Sequence, residues 1–317
     1  MAERVVLVTG AGSGIGWQIA ADLAACGDTV WAAARRDDDL DRLATLPKVR
    51  PLKLDLRDTA ACAALPALLA AEAGRLDALV HNAGVGELGH VAAWSDADLQ
   101  RLFDVNVFAP LRLTRDLLPL LLAARGRVVC IGSQGGSITQ PLYGPYTMSK
   151  HALEAFAACL RQELAPHGVA VAIVQPGAVV TRIGESSLAA NVARLRGTPP
   201  PFDAEARAWL ERWQSPPAAA TAERAADAPE SASHRKPAPP AKVSAAVLQA
   251  LDETPPRARY LVGTRWEGDR VIAALLERLL DAAASPSHGL TRDELVARLD
   301  EAIAARGPAG PGGAIPR

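Results

Sequence analysis

Through its first two-thirds the chain alternates short β-branched runs with longer Ala- and Leu-rich stretches at helical spacing. No other feature restricts the fold as much, because strands that run parallel need a long crossover between them, and the crossover is usually a helix. The strand candidates are Val5–Thr9, Thr29–Ala34, Val49–Leu54, Leu76–His81, Arg127–Ile131 and Ala170–Gln175. Several are apolar throughout, as strands are when helices cover both faces of their sheet. The pattern predicts an α/β fold with a doubly wound parallel sheet and helices on both faces.

Boundary signals sharpen this reading. Asp58 is placed to cap a helix over Thr59–Ala73, Gly74 follows it, and Pro66 should kink it. From about Gly184 to Lys242 the pattern breaks into Ala, Pro and charged residues, and Ala225–Ala241 reads as a mobile, dispensable low-complexity loop. Order resumes with a helix over Val243–Leu251, a last strand at Arg259–Val262 and a helix over Asp269–Ala282. The organisation expected is one catalytic domain over 1–282 with a partly disordered insertion at about 184–242. An extension, 283–317, ends in the Gly/Pro-rich, disordered Gly307–Arg317.

The 317 residues carry 49% hydrophobic and 22% charged side chains, enough for a sizeable core and a wetted surface. A formal net charge of −1 with no long block of either sign argues against a nucleic-acid partner. Cys26, Cys62, Cys130 and Cys159 lie far apart, without metal-ligand spacing, and read as buried free thiols. The stretch around Leu117–Ala124 is too short to span a membrane, and a first strand at Val5 leaves no room for a signal peptide. A cytoplasmic location is expected.

The first strand runs into Thr9-Gly10-Ala11-Gly12-Ser13-Gly14-Ile15-Gly16, with a helix following from about Ile15 to Ala25. Glycines allow a tight turn and close approach to a pyrophosphate, and the amides of the helix start favour its charge. At the end of the second strand, Ala34-Arg35-Arg36 stands where a carboxylate would bind an adenosine ribose. Small Ala34 beside the Arg35 guanidinium suits a 2′-phosphate, although Asp37, Asp38 and Asp39 follow and could accept from a ribose.

Tyr146-Thr147-Met148-Ser149-Lys150 places a phenol and an ammonium on one helical face, where the cation is expected to lower the phenol pKa. Ser133 precedes Tyr146 by thirteen residues, and Asn106 lies in the preceding helical segment. The spacing of Gly10, Gly14 and Gly16, together with His81-Asn82-Ala83-Gly84, Asn106, Ser133, Tyr146/Lys150 and Pro176-Gly177, resembles the short-chain dehydrogenase/reductase family. Residues 4–185 carry the likeness strongly and 243–282 weakly; His81 departs from the Asn usual at its position and is read as a core residue.

That resemblance implies a Rossmann-type oxidoreductase. Its roles carry over as follows: Tyr146 proton donor or acceptor, Ser133 holding the substrate oxygen, Lys150 binding the nicotinamide ribose and tuning Tyr146, and Asn106 supporting a proton-relay water. Gly10, Ser13, Gly14, Ile15 and Gly16 would hold the pyrophosphate, Arg35 the 2′-phosphate, and Asp55 and Leu56 the adenine. Asn82, Ala83 and Gly84, with Pro176, Gly177 and Thr181 over the carboxamide, would complete the site. The cofactor implied is NADP(H), with NAD(H) as the alternative. The substrate would be a small-molecule secondary alcohol or ketone, and the assembly a homodimer or homotetramer. A loose likeness to members acting on steroids and retinoids suggests an apolar substrate. So do Ile183, Leu188, Phe202, Trp209, Leu210 and Trp213 in the segment that leaves the sixth strand, as a lid or as simple packing. A catalytically silent dinucleotide-binding regulator and an epimerase or dehydratase on the same fold are the competing readings.

Overall fold

The computed structural model describes residues 3–181, 183–214, 237–287 and 289–306, with the side chains of 183–186, 212–214 and 306 outside that description. Among the described residues, seven strands form one sheet in the order β3-β2-β1-β4-β5-β6-β7, and every pairing is parallel. The strands are β1 Val5–Val8, β2 Thr29–Ala34, β3 Val49–Lys53, β4 Ala78–His81, β5 Arg127–Ile131, β6 Ala170–Pro176 and β7 Arg259–Val262. Between and after them run α1 Gly14–Ala25, α2 Asp37–Ala44, α3 Thr59–Glu72, α4 Asp96–Phe103, α5 Ala109–Ala124, α6 Gly144–Leu164, α7 Ile183–Arg196, α8 Asp203–Gln214, α9 Pro240–Asp252, α10 Arg265–Ala283 and α11 Arg292–Arg306.

Alternate residues of each strand face opposite layers. In β1, Leu7 joins Leu113 and Leu117 of α5 and Leu153 of α6, whereas Val6 and Val8 join Ile19 and Leu23 of α1 and Val243 and Val247 of α9. Burying each such side chain contributes about 1.5–3 kcal/mol. Pro51, which has no N–H to donate, sits in β3 at one edge of the sheet, where a missing ladder bond is tolerated.

Asp58 caps α3 as the sequence suggests, its carboxylate accepting from the amides of Ala60 and Ala61 at 3.1 and 3.0 Å, and the helix runs through Pro66 as one element. Two expectations need correction. Cys62 and Cys130 are buried, but Cys26 and Cys159 are exposed; all four are free. The segment after β6 contains a helix, α7, where composition suggested a broken pattern; α8 follows, as the helical spacing of Trp209, Leu210 and Trp213 in the sequence suggests. Of Ala225–Ala241, residues 225–236 lie outside the described residues, but its end is tied down. The amide of Ala238 donates to Ala178 at 2.8 Å, Val180 donates back at 3.0 Å, and Ala238 is buried. The expected disorder of Gly307–Arg317 also falls outside the described residues.

Strand order reverses between β1 and β4, so the chain leaves these neighbours in opposite directions. A doubly wound sheet opens a crevice at that point, beyond the carboxyl ends of its strands.

Candidate active site

A cavity of about 480 Å³ occupies this crevice. Gly10, Ser13, Gly14, Ile15, Gly16, Arg35, Asp55, Leu56, Asn82, Ala83, Gly84, Ser133, Tyr146, Lys150, Pro176, Gly177 and Thr181 all line it. The structure therefore brings together every site residue expected from sequence except Asn106, which stands behind the wall.

The loop after β1 needs its glycines. Gly10 and Gly14 have φ of +65° and +57°, and a Cβ on Gly10 would come within 2.7 Å of Ala83 Cα. A side chain on Gly16 would collide with the Asn82 amide and the Gly10 carbonyl. Thr9 and Asn82 lock the loop to the turn after β4. Thr9 Oγ1 accepts from the amides of Asn82 and Ala83 at 3.0 and 3.1 Å, and Asn82 Nδ2 donates to the carbonyls of Thr9 and Gly10 at 2.9 and 3.1 Å. Asn82 thus holds the loop with its side chain. The Ser13 side chain makes no capping bond, which leaves the first amides of α1 facing the cavity.

At the β2 and β3 end the charges are paired unequally. Arg35 is exposed and makes no hydrogen bond or salt bridge to the described residues. Arg36 pairs with Asp38 at 3.3 Å and Asp37 with Lys53 at 2.7 Å. Asp39 lies against Gly12 and within 3.6 Å of Arg42, whose guanidinium donates to the Gly12 carbonyl at 2.6 Å. Asp55 is gripped by Arg57, which donates from its backbone amide at 3.0 Å and from its side chain at 2.6 Å; the Arg57 hydrogen bonds hold the Asp55 carboxyl down at about 2.

At the other end, Ser133 leaves β5 and its Oγ accepts from Gly135 N at 3.0 Å, beside the Tyr146 phenol. Lys150, one turn past Tyr146 on α6, donates to the Ile131 carbonyl at 3.1 Å and lies 5.9 Å from the centroid of the Tyr146 ring. The expected lowering of the Tyr146 pKa by Lys150 is not what the geometry gives. Burial around the phenol pushes Tyr146 up, Ser133 pulls it back only in part, and Lys150 is not among the groups that lower it. The ammonium itself is buried and falls to about 8 through loss of hydration.

Asn106 sits in a π turn, Asp104–Phe108, between α4 and α5. Such a turn adds a residue to the helix repeat and is common at functional sites. Here the Asn106 amide points inward: Oδ1 accepts from Val85 N at 2.8 Å, and Nδ2 donates to the Val85 carbonyl and Ser149 Oγ, each at 3.0 Å. A Cβ on Gly84 would lie 3.3 Å from Asn106 Oδ1 and 3.7 Å from Lys150 Nζ, so both groups flank that glycine.

Sequence reasoning missed Val85, Val105, Gly132 and Val179 in the lining, and missed Arg57 as the partner of Asp55. Arg57 alone had a local signal, its spacing of two from Asp55. Trp209 and Leu210 pack with Leu88, Leu142, Leu195 and Ala206 in a satellite core and do not line the cavity, while Phe202 stacks on His90 at 3.6 Å. The side chains of Ile183 and Trp213 lie outside the described residues. Among the described residues no group of His, Cys, Asp and Glu is arranged to hold a metal, and no helix is long and apolar enough to cross a membrane.

The short chain dehydrogenase family model matches residues 4–191. Dehydrogenase/reductase SDR family member 7B from Bos taurus is 33% identical over 201 residues, which is 60% of this chain and 62% of that protein. The chain thus spans less than two thirds of that relative's length. Among solved structures, a short-chain dehydrogenase from Streptomyces avermitilis superposes with a TM-score of 0.71 at 31% identity, covering 89% of this chain and 96% of its own. An actinorhodin polyketide ketoreductase solved with NADPH superposes at 0.67 with 27% identity, covering 84% and 97%.

Proposed function

Because the chain belongs to the short-chain dehydrogenase family, we propose that it is an oxidoreductase that moves a hydride reversibly between NADP(H) and an apolar secondary alcohol or ketone. The observation that carries this reading is the meeting of Ser133, Tyr146 and Lys150 with the glycine loop in one cavity. The relative solved with NADPH is a ketoreductase, which supports both the cofactor and a carbonyl substrate.

The residues fit a nicotinamide dinucleotide. Gly10 and Gly16 let the loop pack closely on Ala83 and Asn82 while its backbone lines the cavity, and Arg35, which has no hydrogen bond or salt bridge among the described residues, offers planar donors to a 2′-phosphate. Gly10, Ser13, Gly14, Ile15 and Gly16 would receive the pyrophosphate, and Asp55 and Leu56 the adenine. Ala83 and Gly84 with Pro176, Gly177 and Thr181 would flank the nicotinamide. When bound, the cofactor supplies the hydride in reduction and accepts it in oxidation.

The chain supplies orientation and the proton. Ser133 Oγ would donate to the carbonyl oxygen of the substrate, and the Tyr146 hydroxyl would deliver its proton to that same oxygen. A phenol pushed up by burial stays protonated at neutral pH, which suits the reductive direction. Lys150 would hold the ribose, and Asn106 keeps Val85 and Ser149 fixed beside it.

The reading is tested by following NADPH and NADH consumption by the purified protein with aliphatic, aromatic and steroid ketones. Turnover with NADPH and a bulky apolar ketone is the expected result. Tight NADPH binding with no consumption on any carbonyl would make the chain a binding protein instead.

A further inference from the structure

Arg194 of α7 is a buried cation that the chemistry above does not use; 2% of its side chain is exposed. Its guanidinium donates to Glu87 Oε2 and to the Leu88 carbonyl, both at 2.9 Å, and lies 3.4 Å from Asp98 Oδ2. It also stacks 3.5 Å over the Trp94 ring. Glu87, 3% exposed, pairs with Arg101 as well, and Arg101 donates to Asp98 at 2.7 Å. Two carboxylates therefore balance two guanidiniums. One turn earlier on α7, Asn191 Oδ1 accepts from Leu88 N at 3.0 Å. Gly89 has φ of +155°, and any side chain there would collide with Arg194.

Two segments of this cluster lead to the cavity, and a third joins them through Gly89. The helix α7 follows closely on Thr181, which lines the cavity and would meet a Cβ on Gly14 at 3.2 Å. The 85–94 segment begins at Val85, another lining residue, held by Asn106. Gly89 N donates to the Leu142 carbonyl at 2.8 Å, and the neighbouring Tyr143 ring meets the Tyr146 ring edge-on with centroids 6.3 Å apart. A buried ion pair stabilises little compared with apolar residues of the same volume, because both charges lose their hydration. The apolar cluster of Leu88, Leu195, Ala206 and Leu210 lies alongside and already packs these segments together. What forked, charge-assisted bonds add to such packing is a fixed relative position.

We propose that Arg194 and Glu87 form a positioning pair that fixes the substrate-side wall of the cavity and so limits the size of the ketone admitted. This rests on the carbonyl-reduction reading centred on Tyr146. Neither residue touches the reacting atoms.

The test compares the unmodified protein with Arg194→Met and Arg194→Lys in three measurements: NADPH affinity by fluorescence, steady-state kinetics with a small aliphatic and a bulky aromatic ketone, and the rate of proteolytic cleavage within 183–214. For Arg194→Met, KM for the bulky ketone should change by about tenfold or more, while KM for the small ketone, kcat and NADPH affinity stay within about threefold. Cleavage within 183–214 should accelerate. Arg194→Lys, which restores the charge opposite Glu87, should recover part of the KM change. Equal KM changes for both ketones, or unchanged KM with a lower melting temperature, would overturn the proposal and leave a purely stabilising cluster. Should Arg194→Met fail to fold, Glu87→Gln carries the same comparison at nearly constant volume. Absence of ketone turnover in the unmodified protein would remove the underlying reading, and the size-limiting role with it. The cleavage rate then reports separately on whether the pair holds α7 in place.

Discussion

The Lys150 ammonium donates to the carbonyl of Ile131 at 3.1 Å while standing 5.9 Å from the centre of the Tyr146 ring. Strand β5 thus fixes the cation that lies beside the phenol. Burial moves the two groups in opposite directions, Tyr146 upward and Lys150 down to about 8. Ketone reduction that needs a protonated phenol and a charged ammonium should be fastest below pH 8 and fall as pH rises through that value, because Lys150 loses its proton first. A pH profile of kcat/KM between 6 and 10 checks this. A flat profile up to pH 9.5 would contradict it.

Cofactor choice should depend on Arg35. It lines the cavity with no hydrogen bond or salt bridge among the described residues, whereas Asp37, Asp38 and Asp39 are each near a cation of their own. Charge-assisted bonds from Arg35 to a 2′-phosphate should be worth about 1.5–3 kcal/mol, or roughly 10- to 100-fold in affinity. Arg35→Ala should shrink the ratio of NADPH to NADH efficiency by a factor in that range, measured as kcat/KM for each cofactor. Equal efficiency with both cofactors in the unmodified protein would contradict this role.

His81 makes the fold sensitive to acid. It is buried at the end of β4 with Nε2 2.7 Å from Thr114 Oγ1 and Nδ1 unpartnered among the described residues, and lost hydration lowers its pKa to about 3. Between pH 6.5 and 3 the unfolded chain therefore binds a proton that the folded chain refuses, and stability is lost as pH falls through that window. Lowering the pH to 5 should cost about 2 kcal/mol through this residue alone. His81→Asn should lose correspondingly less between pH 7.5 and 5, measured by urea unfolding at both values. Identical losses would mean that other groups govern the acid response.

The sheet was legible because its strands are buried on both faces: β1, β4, β5 and β6 are runs of apolar residues that no amphipathic helix would show. The glycine loop and the Tyr146–Lys150 spacing were legible because each is local in sequence. What escaped detection depends on distant partners. The inward turn of Asn106 arises from a π turn packed under Val85, and the grip of Arg194 on Glu87 joins residues 107 apart. Composition alone hid α7 and the pairing of Ala238 with the strand-end segment at Ala178 and Val180, since Ala, Pro and charged residues resemble linker whether or not tertiary contacts hold them. The direction of the Tyr146 shift was missed for a related reason: sequence spacing shows the neighbouring charge but not the burial that outweighs it.

The central claim is that the Tyr146 hydroxyl, beside Ser133 in the cavity, transfers the proton. Tyr146→Phe removes that proton and leaves the ring. Single-turnover ketone reduction by this variant, measured beside its NADPH affinity, tests the claim most directly. The account predicts a rate lower by about 100- to 10,000-fold with NADPH affinity close to that of the unmodified protein. Retention of more than about a tenth of the rate, well outside the range for loss of a general acid, would contradict it.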